Sequence, residues 1–524
     1  MEQVNNYIQL AKAKYQQIID TFSTSKILKD ISPVDIKSSK KIFIFSHTSF
    51  SFYMKLYILF AHALSKRNIP SYFLFKFNLQ GSHLTNLVIN EQKISNSLYV
   101  EKTPKISICN GKNRKLNFKW IVELEHERIE AYGVNLFPCV LNTLKALYKR
   151  YNIDFKDKHV ISTYQKMIYS CDLLLQYFLL LKEYANKQNV KIRIVGLESD
   201  YIPNGIFRML CNYLSKNGDI EYLDVSRGYP HYFSHHFRET DILSMNFTKT
   251  RANNKISLLS EELLRIKKAD ISKKTILTSI NKVIKQNQNH HITDKQKEIL
   301  DIIKEYQSQG RNVFTLFSHL FYDTPLDDSS PSFKNMCDWI EETVNFFNKN
   351  NDLLILKPHP AEVRPDEPQK EPTETLKSFL ENRINKISDN VILLEPRLFS
   401  LGELYPYISC GLIWRSSVGM ELTYLKIPCI IAAPPPYKTL DLIYAKSRSH
   451  YFELIKNANQ LKISEEQVLD VARYIYVLEQ KHVHIDSLYY DKKSRNMCWN
   501  KKAVQDYLKN GDINIDKLVD RMLD

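Results

Sequence analysis

Two short segments carry the residue types and spacing best suited to chemistry. They are Lys357-Pro358-His359-Pro360 and Trp414-Arg415-Ser416-Ser417-Val418-Gly419-Met420-Glu421. In the first, two prolines fix the backbone around one histidine, so the turn sets the direction of the ring. An imidazole held there can donate a hydrogen bond to a phosphate oxygen, and Lys357 adds charge. The simpler account is a turn histidine capping its own backbone. The second segment sets two hydroxyls and free amides at the start of a helix expected over Val418–Leu425. Unpaired N–H groups and the positive dipole end make such a place an anion site. Gly419 lets the first turn approach a ligand closely. Glu421, one turn in, is placed to accept hydrogen bonds from ribose hydroxyls, and Arg415 assists with charge. Plain N-capping by serine is the competing account.

The elements around these segments decide between the accounts. Strand candidates Asn312–Phe317, Leu353–Leu356, Asn390–Leu394, Cys410–Ile413 and Pro428–Ala432 alternate with helical stretches Phe333–Phe347, Thr373–Ile387, Leu401–Tyr407 and Val418–Leu425. Five strands with intervening helices make an open, doubly wound α/β domain, which binds ligands beyond the carboxyl ends of its strands. Both segments follow strands directly. They are therefore expected at adjacent carboxyl ends of one sheet, facing one crevice, with phosphate plus ribose as the natural ligand.

The earlier part of the chain has a similar layout. KIFIF at 41–45, a helix to about Lys66 and SYFLFKF form a strand–helix–strand unit. Residues 137–187 are helical in period. Ile192–Leu197 and Ile220–Val225 read as strands about a helix near 204–215. After these strands stand Glu198 and Asp200, candidates for a catalytic base, with His47 after the first strand as another. Arg227, after the Ile220–Val225 strand, is placed to meet an anion such as phosphate. Capping of the next helix by Asp200 and local backbone bonding by His47 are the simpler accounts. The chain divides into an α/β domain over 1–252 and a connecting, helical region over 253–296. A second α/β domain over 297–455 and a helical segment over 456–524 follow, the last opened by a Ser464–Gln467 capping box.

Composition narrows the class. With 524 residues, two or three domains are expected. The formal charge of +15 calls for anionic partners, yet the basic residues do not interleave with aromatics as a nucleic-acid platform does. Eight single cysteines without a C-x-x-C pair exclude a zinc ribbon and favour a reducing cytoplasm. No Asp-x-Asp occurs, and His235-His236 and His290-His291 lack further ligands at zinc spacing, so no metal is expected. P-loop, dinucleotide and hydrolase-elbow motifs are absent. The N-terminal residues read as an amphipathic helix rather than a signal peptide, and no apolar run is long enough to span a bilayer.

The series Lys357-Pro358-His359-Pro360-Ala361-Glu362, Arg415-Ser416-Ser417-Val418-Gly419-Met420-Glu421 and Lys426-Ile427-Pro428 resembles the bacterial capsule-polysaccharide glycosyltransferases. These include the Kdo transferases, with bacterial sialyltransferases and CDP-glycerol glycerophosphotransferases as more distant kin. Met336-Cys337-Asp338-Trp339-Ile340, Lys446-Ser447-Arg448 and Tyr451-Phe452-Glu453-Leu454 extend the resemblance over about 310–455. It implies a GT-B architecture, two Rossmann-like parallel-sheet domains facing a cleft. It also implies metal-independent transfer without a cofactor and a donor phosphate held by His359 and Ser416/Ser417. One departure is Ala433-Pro434-Pro435-Pro436-Tyr437, stiffer than the glycine-containing loop usual there. The implied activity moves a sugar from a nucleotide donor, held by the domain over 297–455, onto a surface or capsular glycan or lipid-linked glycan acceptor at the domain over 1–252. Kdo or another acidic sugar on a CMP-linked donor is one case, and Arg227 would meet phosphate or an acidic sugar. The expected location is the cytoplasm, with the inner-membrane surface or a polysaccharide assembly complex as candidate partners. Transfer of a polyol phosphate, or a catalytically idle scaffold, are the alternatives left open.

Overall fold

The computed structural model describes residues 39–46, 51–73, 118–124, 126–196, 200–215, 217–227, 242–249, 272–277, 292–323, 330–365, 371–435, 437–480, 482–491 and 496–523, with scattered positions between 23 and 34 and at 368. The amphipathic N-terminal stretch and most of 253–291 lie outside the described residues. The chain forms two compact units. The first comprises residues 1–140, 162–255 and 481–524, and the second 141–161 and 256–480.

In the first unit, β1 (Lys41–Phe45) leads into α1 (Ser51–Lys66) and β2 (Ser71–Phe73). Short strands β3 (Ile121–Glu123), β4 (Arg128–Ala131) and β5 (Val134–Asn135) form a small antiparallel sheet. After α2 (Phe137–Tyr148) and α3 (Lys158–Gln188), whose residues 141–148 and 158–161 belong to the second unit, come β6 (Lys191–Gly196), α4 (Asn204–Leu214), β7 (Ile220–Arg227) and β8 (Ile242–Lys249). The main sheet runs β14-β8-β7-β6-β1-β2. β2, β1, β6 and β7 are parallel, and β8 and β14 close the edge antiparallel. Continuous apolar runs such as KIFIF suit strands covered on both faces, and Ile42 to Phe45 are all buried.

The second unit begins its sheet after α5 (Asp294–Ser308), whose start is a Thr293–Gln296 capping box. β9 (Val313–Phe317), α6 (Met336–Phe347), β10 (Leu353–Lys357), α7 (Leu376–Arg383), β11 (Val391–Leu393), α8 (Leu401–Leu404), β12 (Cys410–Ile413), α9 (Val418–Tyr424) and β13 (Cys429–Ile431) alternate without a break. The strand order is β11-β10-β9-β12-β13, and every pairing is parallel. That is the doubly wound order, which reverses direction between its first and fourth strands, here β9 and β12. All residues of β9, β10, β12 and β13 are buried. α6 covers one face with Trp339, whose indole N–H donates to the Tyr451 hydroxyl at 2.8 Å. α10 (Arg448–Lys456) and α11 (Glu465–Gln480) complete the unit, and α11 opens with the expected Ser464–Gln467 box.

Beyond α11 the structure differs from the helical reading of the C-terminal stretch. β14 (His482–His484), β15 (Leu488–Asp491) and β16 (Asn496–Trp499) precede α12 (Lys501–Asn510) and α13 (Ile513–Leu523). β14 is a strand because it pairs with β8, from His482↔Ser244 to His484↔Ile242, a partner that no local pattern could announce. Leu518, Val519 and Met522 join Phe43, Phe45 and α1 in the first unit's core. The last carbonyls of α13 accept from Lys41 Nζ and from the Arg193 guanidinium.

Candidate functional site

The carboxyl edge of the second unit's sheet is built by register. Lys357 pairs with Phe317, and Phe317 with Ile413, so the ends of β10, β9 and β12 are level. At a strand spacing of about 4.8 Å, Lys357 and Ile413 stand about 10 Å apart. The two segments singled out in the sequence were expected on adjacent strands. They flank β9 instead, whose own tip, Ser318-His319, lies between them.

Residues in register share a face of the sheet. Leu422 of α9 fills the space a Cβ would take at Gly411, and Ile413 lies 3.5 Å from the Cβ position of Gly419. α9 therefore covers the face of Gly411 and Ile413, and Lys357 rises on that same face. Lys357 is only 4% exposed, and its ammonium makes no hydrogen bond or ion pair among the described residues. Burial pulls its pKa from 10.5 down to about 8, with the Glu403 carboxylate opposing the shift. A buried cation without a partner is costly, and a bound anion would offset that cost.

His359 both caps its own turn and keeps a free donor. Its Nδ1 accepts the Ala361 N–H at 3.1 Å, with Pro360 at the first position of the turn. An N–H can only donate, so the neutral ring carries its proton on Nε2. Burial, then electrostatic interaction with His319, Lys357 and Arg364, lowers the His359 pKa to about 3. The ring is neutral at physiological pH and offers one fixed N–H. The turn is braced by Arg397, whose Nε donates to the Pro360 carbonyl at 2.9 Å. Glu362 is buried and accepts the Leu376 N–H with both oxygens at 3.2 Å, and burial raises its pKa to about 7.

After β12 the geometry departs from the free amides expected at a helix start. Ser416 Oγ accepts the Val418 N–H at 3.2 Å, Ser416 O the Gly419 N–H at 3.3 Å, and Ser417 O the Met420 N–H at 2.9 Å. The chain turns so tightly after β12 that these amides bond within the segment. Ser417 has helical dihedrals and does not cap with its side chain. Its hydroxyl has no partner among the described residues, so that hydroxyl is the open donor. Arg415 is half-buried. The space left by the missing Cβ of Gly419 is taken by the Tyr437 hydroxyl at 2.5 Å, which donates to Ser416 O. The proline-rich loop thus packs onto the serine turn through Tyr437. Glu421 is half-buried, with one oxygen accepting from the Tyr405 hydroxyl at 2.7 Å, and burial raises its pKa to about 7.

The remaining candidates belong to the first unit. Asp200 forms an ion pair with Arg208 at 3.0 Å. It does not cap α4, whose N-cap is Pro203. Arg227 ends β7 opposite Met245, and its side chain is outside the described part. Glu198 and His47 lie outside the described residues. Sequence reasoning passed over Ser318 and His319, although they follow a recognised strand and the same rule would have found them. Tyr405 and Tyr437 had no local signal. Among the described residues, no group of three or more histidines, cysteines or carboxylates could hold a metal, and no helix is long and apolar enough to cross a membrane. The seven described cysteines are buried and unpaired as disulfides.

No family model and no curated protein matches the chain. Among solved structures it is similar to the KpsC β-Kdo 2,7 transferase of Thermosulfurimonas dismutans, at 14% identity over 63% of this chain and 88% of that one, with a TM-score of 0.33. The KpsC β-Kdo 2,4 transferase of the same organism matches at 12% identity over 61% and 87%, with a TM-score of 0.33. The wall teichoic acid polymerase TagF matches at 13% identity over 68% and 86%, with a TM-score of 0.17. Identities and scores this low carry no argument about activity, and the α/β fold with its parallel sheets stands on the strand pairing itself.

Proposed function

We propose that this chain is a metal-independent glycosyltransferase of GT-B architecture, whose second unit holds the phosphate of a nucleotide-activated sugar. One observation carries the reading. Lys357, Phe317 and Ile413 are level across one parallel sheet, so an unpartnered buried ammonium, a fixed imidazole N–H and an open serine hydroxyl stand at its carboxyl edge. As the bond to the sugar breaks, negative charge grows on the leaving phosphate. Lys357, His359 and Ser417 would stabilise that charge with donors already in place, the principle of an oxyanion hole. Ser416 and Gly419 would shape the turn, Arg415 would add charge, and the open oxygen of Glu421 suits a ribose hydroxyl.

The first unit would receive a glycan or lipid-linked glycan acceptor. Glu198, Asp200 and His47 are the proposed candidates for the base that takes its proton, and Arg227 for contact with phosphate or an acidic sugar. The sequence resemblance and the charge of +15 favour an acidic sugar such as Kdo on a CMP-linked donor, at the cytoplasmic face of the inner membrane. Isothermal titration against CMP, CDP and UDP tests the donor site. CMP binding supports a Kdo-like donor, UDP binding an ordinary hexose, CDP binding a polyol phosphate, and no binding leaves the idle scaffold. His359→Ala is expected to abolish donor consumption with the fold intact. Full activity in that variant would remove the residue from the mechanism.

A further inference from the structure

The tip of β9 stands in the middle of the carboxyl edge, between the phosphate-site segments, and the proposed donor site makes no use of it. Ser318 is 6% exposed, and its hydroxyl has no hydrogen-bond partner among the described residues. A buried polar group left unpaired is costly, so an open hydroxyl at a sheet edge calls for a ligand or water. His319 follows, half-buried, with its ring centroid 5.7 Å from that of His359.

The hydrogen-bond partners of the two rings favour opposite tautomers. His319 Nδ1 lies 3.4 Å from the Leu320 carbonyl oxygen. A carbonyl only accepts, so a ring with a single proton carries it on Nδ1 and leaves Nε2 bare. His359 is the reverse, because its Nδ1 accepts from Ala361. One sheet edge thus presents a donor imidazole beside an acceptor imidazole. A phosphate oxygen complements the first and is repelled by the lone pair of the second. The complement of the second is an O–H.

We propose that Ser318 and His319 form a hydroxyl-recognising subsite next to the phosphate site, so that the unit selects a phosphate ester bearing a free hydroxyl over a bare phosphate anion. The proposal rests on the phosphate-site reading above. The hydroxyl belongs either to the nucleotide ribose or to the transferred sugar or polyol, and the two sources can be told apart.

Isothermal titration of the whole chain with two ligand pairs makes the test. CMP against 2′,3′-dideoxy-CMP reads a ribose hydroxyl, and glycerol 3-phosphate against propyl phosphate reads a hydroxyl on the transferred side. The wild type should bind the hydroxylated member of one pair about tenfold more tightly, the worth of one hydrogen bond. His319→Phe should erase that preference and leave the other member's affinity in place. His319→Gln, whose amide oxygen accepts, should keep part of it. Equal affinities within both pairs in the wild type, or an undiminished preference in His319→Phe, would overturn the subsite. The phosphate site itself survives that outcome as long as His359→Ala still loses nucleotide. If the wild type binds none of the four ligands, the phosphate-site reading falls, and this proposal with it.

Discussion

Replacing Lys357 by methionine should make the free protein more stable and the nucleotide weaker. The side chain is 4% exposed, and burial takes its pKa from 10.5 to about 8. A lowering of about 2.5 units at about 1.36 kcal/mol each gives an upper bound near 3 kcal/mol for what the charged form costs the fold. The sign follows from proton counts. Between about pH 8 and 10.5 the unfolded chain holds the proton and the folded chain has released it, so stability rises with pH through that window. Below about pH 8 the cost is present in full. Methionine nearly matches the volume and carries no charge, so Lys357→Met should gain about 1–3 kcal/mol at pH 7. The gain should shrink toward pH 10. Urea unfolding at both pH values, followed by a probe in the second unit, reads it. The same variant should bind CMP at least tenfold more weakly, and wild-type affinity should fall as pH rises above about 8. A lysine kept for the fold alone predicts the opposite sign. A variant less stable at pH 7 with unchanged nucleotide affinity would refute the reasoning.

Other outcomes follow from the same geometry. The His359 ring should stay neutral down to about pH 4, because its pKa lies near 3, and NMR titration of its ring nitrogens would see any earlier change. Gly419→Ala sets a Cβ 2.5 Å from the Tyr437 hydroxyl and should cost about 1–3 kcal/mol in thermal or urea unfolding. Tyr437→Phe in the same chain should recover part of that loss, and additive effects in the double mutant would exclude the clash. Glu362 has a folded pKa of about 7 against 4.5, so the folded chain binds its proton more tightly and stability falls as pH rises from 4.5 to 7. Glu362→Gln should flatten that part of the pH–stability curve, measured by urea midpoints. Leu518→Ala removes a fully buried side chain of α13 and should destabilise the first unit by about 2–5 kcal/mol, read by hydrogen exchange of β1 and β6.

Much of the second unit was legible because its strands are continuous apolar runs between capped helices. Val313–Phe317, Cys410–Ile413 and the Ser464–Gln467 box needed only neighbouring residues to be recognised. The Lys357–Pro360 turn was legible for the same reason, since proline restricts its own surroundings. The small sheet of β3, β4 and β5 was not, because strands of two to four residues carry no period to read. Nor were the contacts that finish the candidate site. Tyr437 reaches Ser416 across a 21-residue separation, and Tyr405 reaches Glu421 across 16. The serine turn looked like a helix with free amides, yet its own hydroxyl and carbonyls had taken them.

Chain-local chemistry was enough to mark the long parallel strands such as β1, β6, β9, β10 and β12, to say where the histidine and the serines follow them, and to show that both units are α/β. Whether those segments meet depended on strand order. Pairing joins Lys357 to Phe317 and Phe317 to Ile413, putting β9 and its His319 between the two motifs. The return of the C-terminal residues to the first unit's core was likewise decided by distant partners, β8 and α1. Backbone preferences act over a few residues, while burial and sheet register are settled among residues tens to hundreds of positions apart. Only folding brings those residues within reach of one another.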